Sequence, residues 1–127
     1  MKNTKIIKKR YEFKILFSKG KIGYGKNLTM YCIKNKNEYN RLGIAVGKKS
    51  GRAVDRNKIK RLIRENYRFF EDNINCGYNI LISVNRKSEI RNIDFYDVQK
   101  ELKILFQKLD LWESKDEKNS FENDINI

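Results

Sequence analysis

The chain has 127 residues, enough for one domain around one core, and carries a net charge of +13 at pH 7 with a pI near 9.8. It contains no His, only two Cys and no apolar run of about 18 residues, so the commonest general base, a cysteine-rich metal site and a membrane-spanning helix are all excluded. The charge is uneven: residues 1–70 hold 21 Lys and Arg against 4 Asp and Glu, a net +17, whereas residues 71–127 hold 8 against 12, a net −4.

That balance calls for a polyanionic partner met by the first half of the chain. The basic N-terminus is not followed by the apolar segment of a secretory signal, so a cytoplasmic protein is expected. Residues 1–9 read as a basic, frayed arm. Residues 10–18 read as a short helix stopped near Gly20 at the position after its cap. Phe13 and Phe17 are four apart and share one face of that helix. They are either ordinary core rings or a platform on which unpaired bases stack, and the spacing does not separate the two. The Gly-rich segment 20–25 reads as a turn or a bulged edge. Its GxG follows no strand and opens no helix, so it is not a phosphate-binding loop.

Residues 27–33 alternate Leu28, Met30 and Cys32 against Thr29, Tyr31 and Ile33, the period of a strand. Residues 34–40 read as a hairpin loop leading into a second strand over 41–46. Leu42, Ile44 and Val46 lie on one face of that strand and the small Gly43 and Ala45 on the other, open to close approach by a helix or a ligand. Cys32 and Cys76 read as a reduced, buried pair.

A helix is predicted from about residue 53. Ile59, Leu62, Ile63 and Phe70 recur at the spacing of a core-facing stripe. Arg52, Arg56, Lys60, Arg64 and Arg68 step by four along another face, widened by Lys58 and Arg61. Like charges at that spacing repel by a few tenths of a kcal/mol per pair, so the ridge calls for an opposed anion, and a polyphosphate suits the Arg fork. Lys48 and Lys49, at the end of the preceding strand, stand where a phosphate can be held. Residues 79–84 give a strand buried on both faces. A polar loop over 85–92 carries Arg86 and Lys87. Asp94 then caps an amphipathic helix running through Phe95, Val98, Leu102, Leu105, Phe106 and Leu109. Residues 113–127 are polar and acidic and read as a disordered tail, leaving residues 1–112 as one α+β domain ordered helix, strands, helix, strand, helix.

Val46-Gly47-Lys48-Lys49, Gly51-Arg52-Ala53-Val54 and the run from Arg56-Asn57-Lys58 to Arg64-Glu65 closely resemble the bacterial ribonuclease P protein component. The resemblance extends over residues 9–109. Gly47 stands where that family usually has Ser, and Arg52 where it usually has Asn. It implies a single-domain α-β sandwich with a left-handed β-α-β crossover, like the second domain of a small-subunit ribosomal protein. It also implies a subunit of a ribonucleoprotein that removes 5′ leaders from precursor tRNA, in which the catalytic RNA cleaves the bond with Mg²⁺ and the protein holds no metal or small-molecule substrate. By position, Arg52, Arg56, Asn57, Lys58, Lys60, Arg61, Arg64 and Arg68 would face the catalytic RNA. Phe13, Phe17 and Tyr31 with Lys48, Lys49, Arg86 and Lys87 would line a cleft for the leader, on the side opposite the ridge. The residues agree that the protein binds rather than cuts: the basic half offers only Glu12, Glu38, Asp55 and Glu65, too dispersed for a two-metal site. The alternative, on charge alone, is a general RNA-binding or ribosome-associated protein without a role in leader cleavage.

Overall fold

A computed structural model describes residues 3–113. Five strands and three helices form one α+β unit: β1 (Thr4–Ile6), α1 (Arg10–Lys19), β2 (Lys21–Tyr24), β3 (Leu28–Lys34), β4 (Asn40–Ala45), α2 (Ala53–Phe70), β5 (Tyr78–Val84) and α3 (Phe95–Lys108). The strands form one sheet in the order β1-β4-β5-β3-β2. β4 runs parallel to β1 and β5, and β3 runs antiparallel to β5 and β2.

β5 explains the layering. Ile80, Leu81 and Ile82 are all fully buried, and alternate residues of a strand point to opposite faces, so both faces of the sheet are covered. On one face Ile80 and Ile82 join Leu28, Met30, Leu42 and the apolar stripes of α2 and α3 in the main core. On the other face Leu81 packs with Ile7 and Leu16, with Phe13, Tyr31 and Ala45 around them, beneath α1. The expected stripe of α2 is buried at Ile59, Leu62, Ile63 and Phe70, and Tyr67 and Asn66 join it. Asn66 donates to the carbonyls of Leu62 at 3.0 Å and Phe95 at 3.1 Å, tying α2 to the start of α3. That start is a reciprocal cap, in which Asp94 accepts from the Asp97 amide at 2.8 Å and Asp97 accepts from the Asp94 amide at 3.0 Å.

Several sequence expectations change. The N-terminal arm is not frayed over residues 4–7. Thr4–Ile6 pairs with Asn40–Leu42, and Ile7 is buried. Three residues are too few to show a period. The loop after β3 is not a hairpin, because β5 lies between β3 and β4. Consecutive strands are usually neighbours, but here the chain crosses one strand position and α2 later returns β5 into the gap. Gly77, at φ 90°, turns the chain into that slot, and its carbonyl accepts from the Asn35 amide at 2.7 Å. The Gly-rich segment resolves as the edge strand β2, whose Gly23 leaves room for Leu105 of α3 and for Leu109 just after it. Gly20 follows α1 in an extended conformation rather than a left-handed cap. Cys32 is buried but Cys76 is exposed, and both are free. Of the proposed acidic tail, only Glu113 lies within the described residues.

The C-terminal end of α2 is fastened to β1 through Tyr67, whose hydroxyl lies 2.9 Å from Thr4 Oγ1, which in turn donates to Glu71 at 3.3 Å. Burial pushes the Tyr67 phenol up to about 12 from 10.0. The folded state therefore favours the neutral phenol. Its contribution is complete below about pH 10 and is lost as pH rises toward 12. Unfolding measured across that window should show a decline of about 2–3 kcal/mol in the wild type that is missing from Tyr67→Phe. Parallel profiles for the two proteins would show that the ring is not desolvated.

Candidate nucleic-acid interface

α2 carries two incompatible surfaces on one rod. Its apolar stripe is in the core, so rotation cannot bring its cations any closer to a carboxylate. Arg52, Asn57, Lys58, Arg61, Arg64 and Arg68 are exposed, and Arg56 and Lys60 are half-buried. Arg52 pairs with Asp55 at 3.3 Å and Arg61 with Glu65 at 3.8 Å. Among the described residues no carboxylate lies in ion-pair range of Arg56, Lys58, Lys60, Arg64 or Arg68. Four of these cations, Arg56, Lys60, Arg64 and Arg68, thus step along one helix face uncompensated, and Lys58 stands on its far flank. In water such a row costs little, but it attracts a polyanion strongly and releases that polymer's counterions.

A groove lies beside this ridge, and pairing explains why. β1 reaches only Asn40–Leu42, so from Gly43 onward that edge of β4 has no neighbouring strand. α1 covers one side of the free edge and α2 the other. Gly43 lets α1 lie close: a Cβ there would sit 2.9 Å from the Phe13 ring and force it to shift. The close approach anticipated for the small face of this strand is therefore made by a helix. α1 is further held by the ion pair between Glu12 and the β4 residue Arg41, both mostly buried, and the hydrogen bonds that the Arg41 guanidinium donates to Glu12 push its pKa further up.

Phe13 is half-buried over this floor, lining a cavity of about 150 Å³ with Ile44, Lys60 and Arg64. Phe17 is 42% exposed and meets Tyr31 edge-on, ring centroids 4.9 Å apart. It opens onto a larger cavity of about 450 Å³ with Ile44, Val46, Ser50, Lys60 and Arg86. Next to that cavity, Lys48, Lys49 and Arg86 border another of about 340 Å³. Lys48 and Lys49 lie on a single 3-10 turn, Lys48–Ser50, closed by the Ser50 amide donating to Gly47 at 3.0 Å. Among the described residues no carboxylate lines any of these three cavities. An exposed ring, an edge of aliphatic side chains and a run of cations can stack a base and hold its phosphates without reading its sequence.

Most of the expected cleft residues therefore lie close together: Phe13, Phe17, Lys48, Lys49 and Arg86 line three cavities around the free end of β4, and Tyr31, which lines none of them, touches Phe17 from β3. Lys87 is exposed but lines none of these cavities. The two faces are not opposite. Lys60 borders the cavities of both phenylalanines and Arg64 that of Phe13, so ridge and groove share a wall. Sequence reasoning assigned Lys60 and Arg64 to the ridge alone and overlooked Ile44, Val46 and Ser50 as lining. Four-residue spacing ranks positions around one helix but does not say which neighbouring strand they overhang. Among the described residues no three His, Cys, Asp or Glu side chains gather as metal ligands.

The family model for ribonuclease P matches residues 1–110. The chain is 38% identical over 109 residues to the ribonuclease P protein component of Clostridioides difficile strain 630, spanning 85% of this chain and 94% of that one. Among solved structures, the RNase P protein of Staphylococcus aureus matches with a TM-score of 0.76 at 30% identity, over 85% of this chain and 97% of that chain. The RNase P protein of Thermotoga maritima gives 0.72 at 32% identity, over 81% and 96%.

Because Arg56, Arg64 and Arg68 lack carboxylate partners, replacing all three by Ala should leave thermal stability unchanged or raise it slightly as repulsion is relieved. The same variant should bind folded RNA more weakly, with the salt slope reduced by about 0.7–0.9 for each phosphate that is no longer neutralised. A protein that melts earlier and keeps its full salt slope would assign these cations to the fold instead.

Proposed function

The chain belongs to the ribonuclease P protein family and is thus the small subunit of an endoribonuclease that works with an RNA partner; on that basis we propose a division of labour between its two basic surfaces. The ridge formed by Arg52, Arg56, Asn57, Lys58, Arg61, Arg64 and Arg68 grips the catalytic RNA. The groove at the free end of β4 holds the single-stranded 5′ leader of precursor tRNA, and the RNA cleaves the phosphodiester with Mg²⁺. One observation carries this reading. An exposed aromatic, Phe17, and the cluster of Lys48, Lys49 and Arg86 open onto adjoining cavities that share Gly47, Ser50 and Arg86, the first of them bordered by Lys60 of α2.

Chemistry supports a binding role. A leader differs from one precursor to the next, so its holder must tolerate any base. Aromatic stacking does so at about 1–3 kcal/mol per base, and phosphate contacts are sequence-blind. The chain offers no His as general base, and its carboxylates near the groove are engaged elsewhere: Glu12 by Arg41 and Asp55 by Arg52. The protein lowers the electrostatic cost of bringing two RNA polyanions together, which at low Mg²⁺ the RNA alone meets poorly. Lys60, on the shared wall, touches whichever strand passes from one surface to the other.

The protein alone should leave precursor tRNA intact, and adding it to a bacterial catalytic RNA at low Mg²⁺ should restore leader removal. A preparation that copurifies with ribosomal RNA and gives no stimulation would favour the general RNA-binding alternative. Phe17→Ala should weaken binding of precursor by about 1–3 kcal/mol relative to mature tRNA with little loss of stability. Phe13→Ala should also lower stability by about 1–3 kcal/mol, because its ring fills the space over Gly43. Equal weakening for precursor and mature tRNA in the Phe17 variant would remove that ring from the leader site.

A further inference from the structure

Beyond Phe17 the sheet face covered by α1 continues, uncovered, toward the β2 edge. β2 pairs with β3 in a register that sets Ile22 opposite Tyr31 and Tyr24 opposite Thr29. Paired residues of an antiparallel ladder share a face, and Gly23 faces α3 on the other side, so Ile22 and Tyr24 stand on the same side as Tyr31. Tyr24 is 68% exposed and Ile22 is 39% exposed, although both are large and apolar. Tyr24 and Tyr31 are diagonal neighbours, a separation of about 7–8 Å that long aromatic side chains bridge. Burial and, secondly, Tyr24 hold the Tyr31 phenol above its ordinary value, as expected of two phenols within electrostatic reach. Phe17, Tyr31 and Tyr24 therefore make a graded aromatic row from the groove to the sheet edge. Lys21 opens β2 and Lys19 and Lys26 flank it, and the segment 19–26 contains no acid. Two carboxylates lie near it among the described residues: exposed Asp110, 3.5 Å from Lys21, and Glu101 of α3, on the other side of the sheet, which accepts from the Asn27 amide at 2.7 Å.

We propose that the stacking surface continues across the sheet onto β2, where Tyr24 takes a further unpaired base of the leader, upstream of those held in the groove. This rests on the reading of the groove as the leader's track. The occupant is single-stranded RNA because the row is continuous with that groove, its bases need only a π face, and the flanking charges are cationic. The consequence is a dependence on leader length: a short leader ends in the groove, and a longer one gains the β2 platform.

The test uses the holoenzyme assembled from the full chain and a bacterial catalytic RNA. Precursors of one tRNA carry leaders lengthened one nucleotide at a time, and equilibrium affinity is measured without cleavage. Tyr24→Thr keeps strand propensity and removes the ring, and Tyr24→Phe restores it. Wild type and Tyr24→Phe should gain affinity at a length where Tyr24→Thr does not, leaving the variant roughly five- to a hundredfold weaker for long leaders and equal for short ones. Tyr24→Thr matching wild type at every length, or weaker by the same factor at every length, would overturn the proposal. If the wild-type holoenzyme shows no dependence on any leader, the groove reading itself has failed, and the proposal fails with it.

Discussion

A row of like charges on one helix is the constraint from which the rest follows. Arg56, Lys60, Arg64 and Arg68 sit one turn apart, and each such pair costs a few tenths of a kcal/mol. The same helix buries Ile59, Leu62, Ile63, Tyr67 and Phe70, and each fully buried apolar side chain contributes about 1.5–3 kcal/mol. The core side outweighs the repulsion several-fold, so the cations are held in place without partners of their own. A surface built this way has unmet charge at fixed spacing, which is what a folded polyanion rewards.

The sheet turns that ridge into one wall of a site. β1 is only three residues long and its pairing stops at Leu42 of β4, which leaves the end of β4 free. α1 and α2 lie on opposite faces of the sheet, yet both overhang this free end. Phe13 and Phe17 approach from one side and Lys60 and Arg64 from the other. Gly43 and the Arg41–Glu12 ion pair set how closely α1 lies. The turn that carries Lys48 and Lys49 is the connection from β4 to α2, so the strand end, the phosphate-seeking lysines and the ridge are consecutive in the chain and contiguous in space. Ribonuclease P family membership and a division into RNA-gripping and leader-holding surfaces fit an arrangement in which one short stretch serves both.

Much of this was legible from residue order. The α2 stripe, the alternation in β3, the run of Ile80 to Ile82 and the Asp94 cap each depend on neighbours within about one turn or two pleats, where geometry is set by the backbone. Phe17 was ambiguous because a ring on a short helix can face core or solvent. In the fold the Phe17 ring is 42% exposed beside Tyr31, whereas Phe13 is in part a core residue. β1 escaped notice because three residues carry no period, and Cys76 was misjudged because composition ranks cysteine as buried without saying which strand end it occupies.

By itself the sequence determined the charge, the absence of histidine chemistry, the identities of three of the five strands and of the three helices, and the motif that marks the family, all of them local or additive properties. The tertiary structure decided the order of strands, the free edge of β4 and the meeting of Lys60 with Phe13 and Phe17. Those depend on which strand fills the gap between β3 and β4. That choice is made by α2 packing its apolar face onto the sheet, a contact between residues far apart in the chain that no spacing rule encodes.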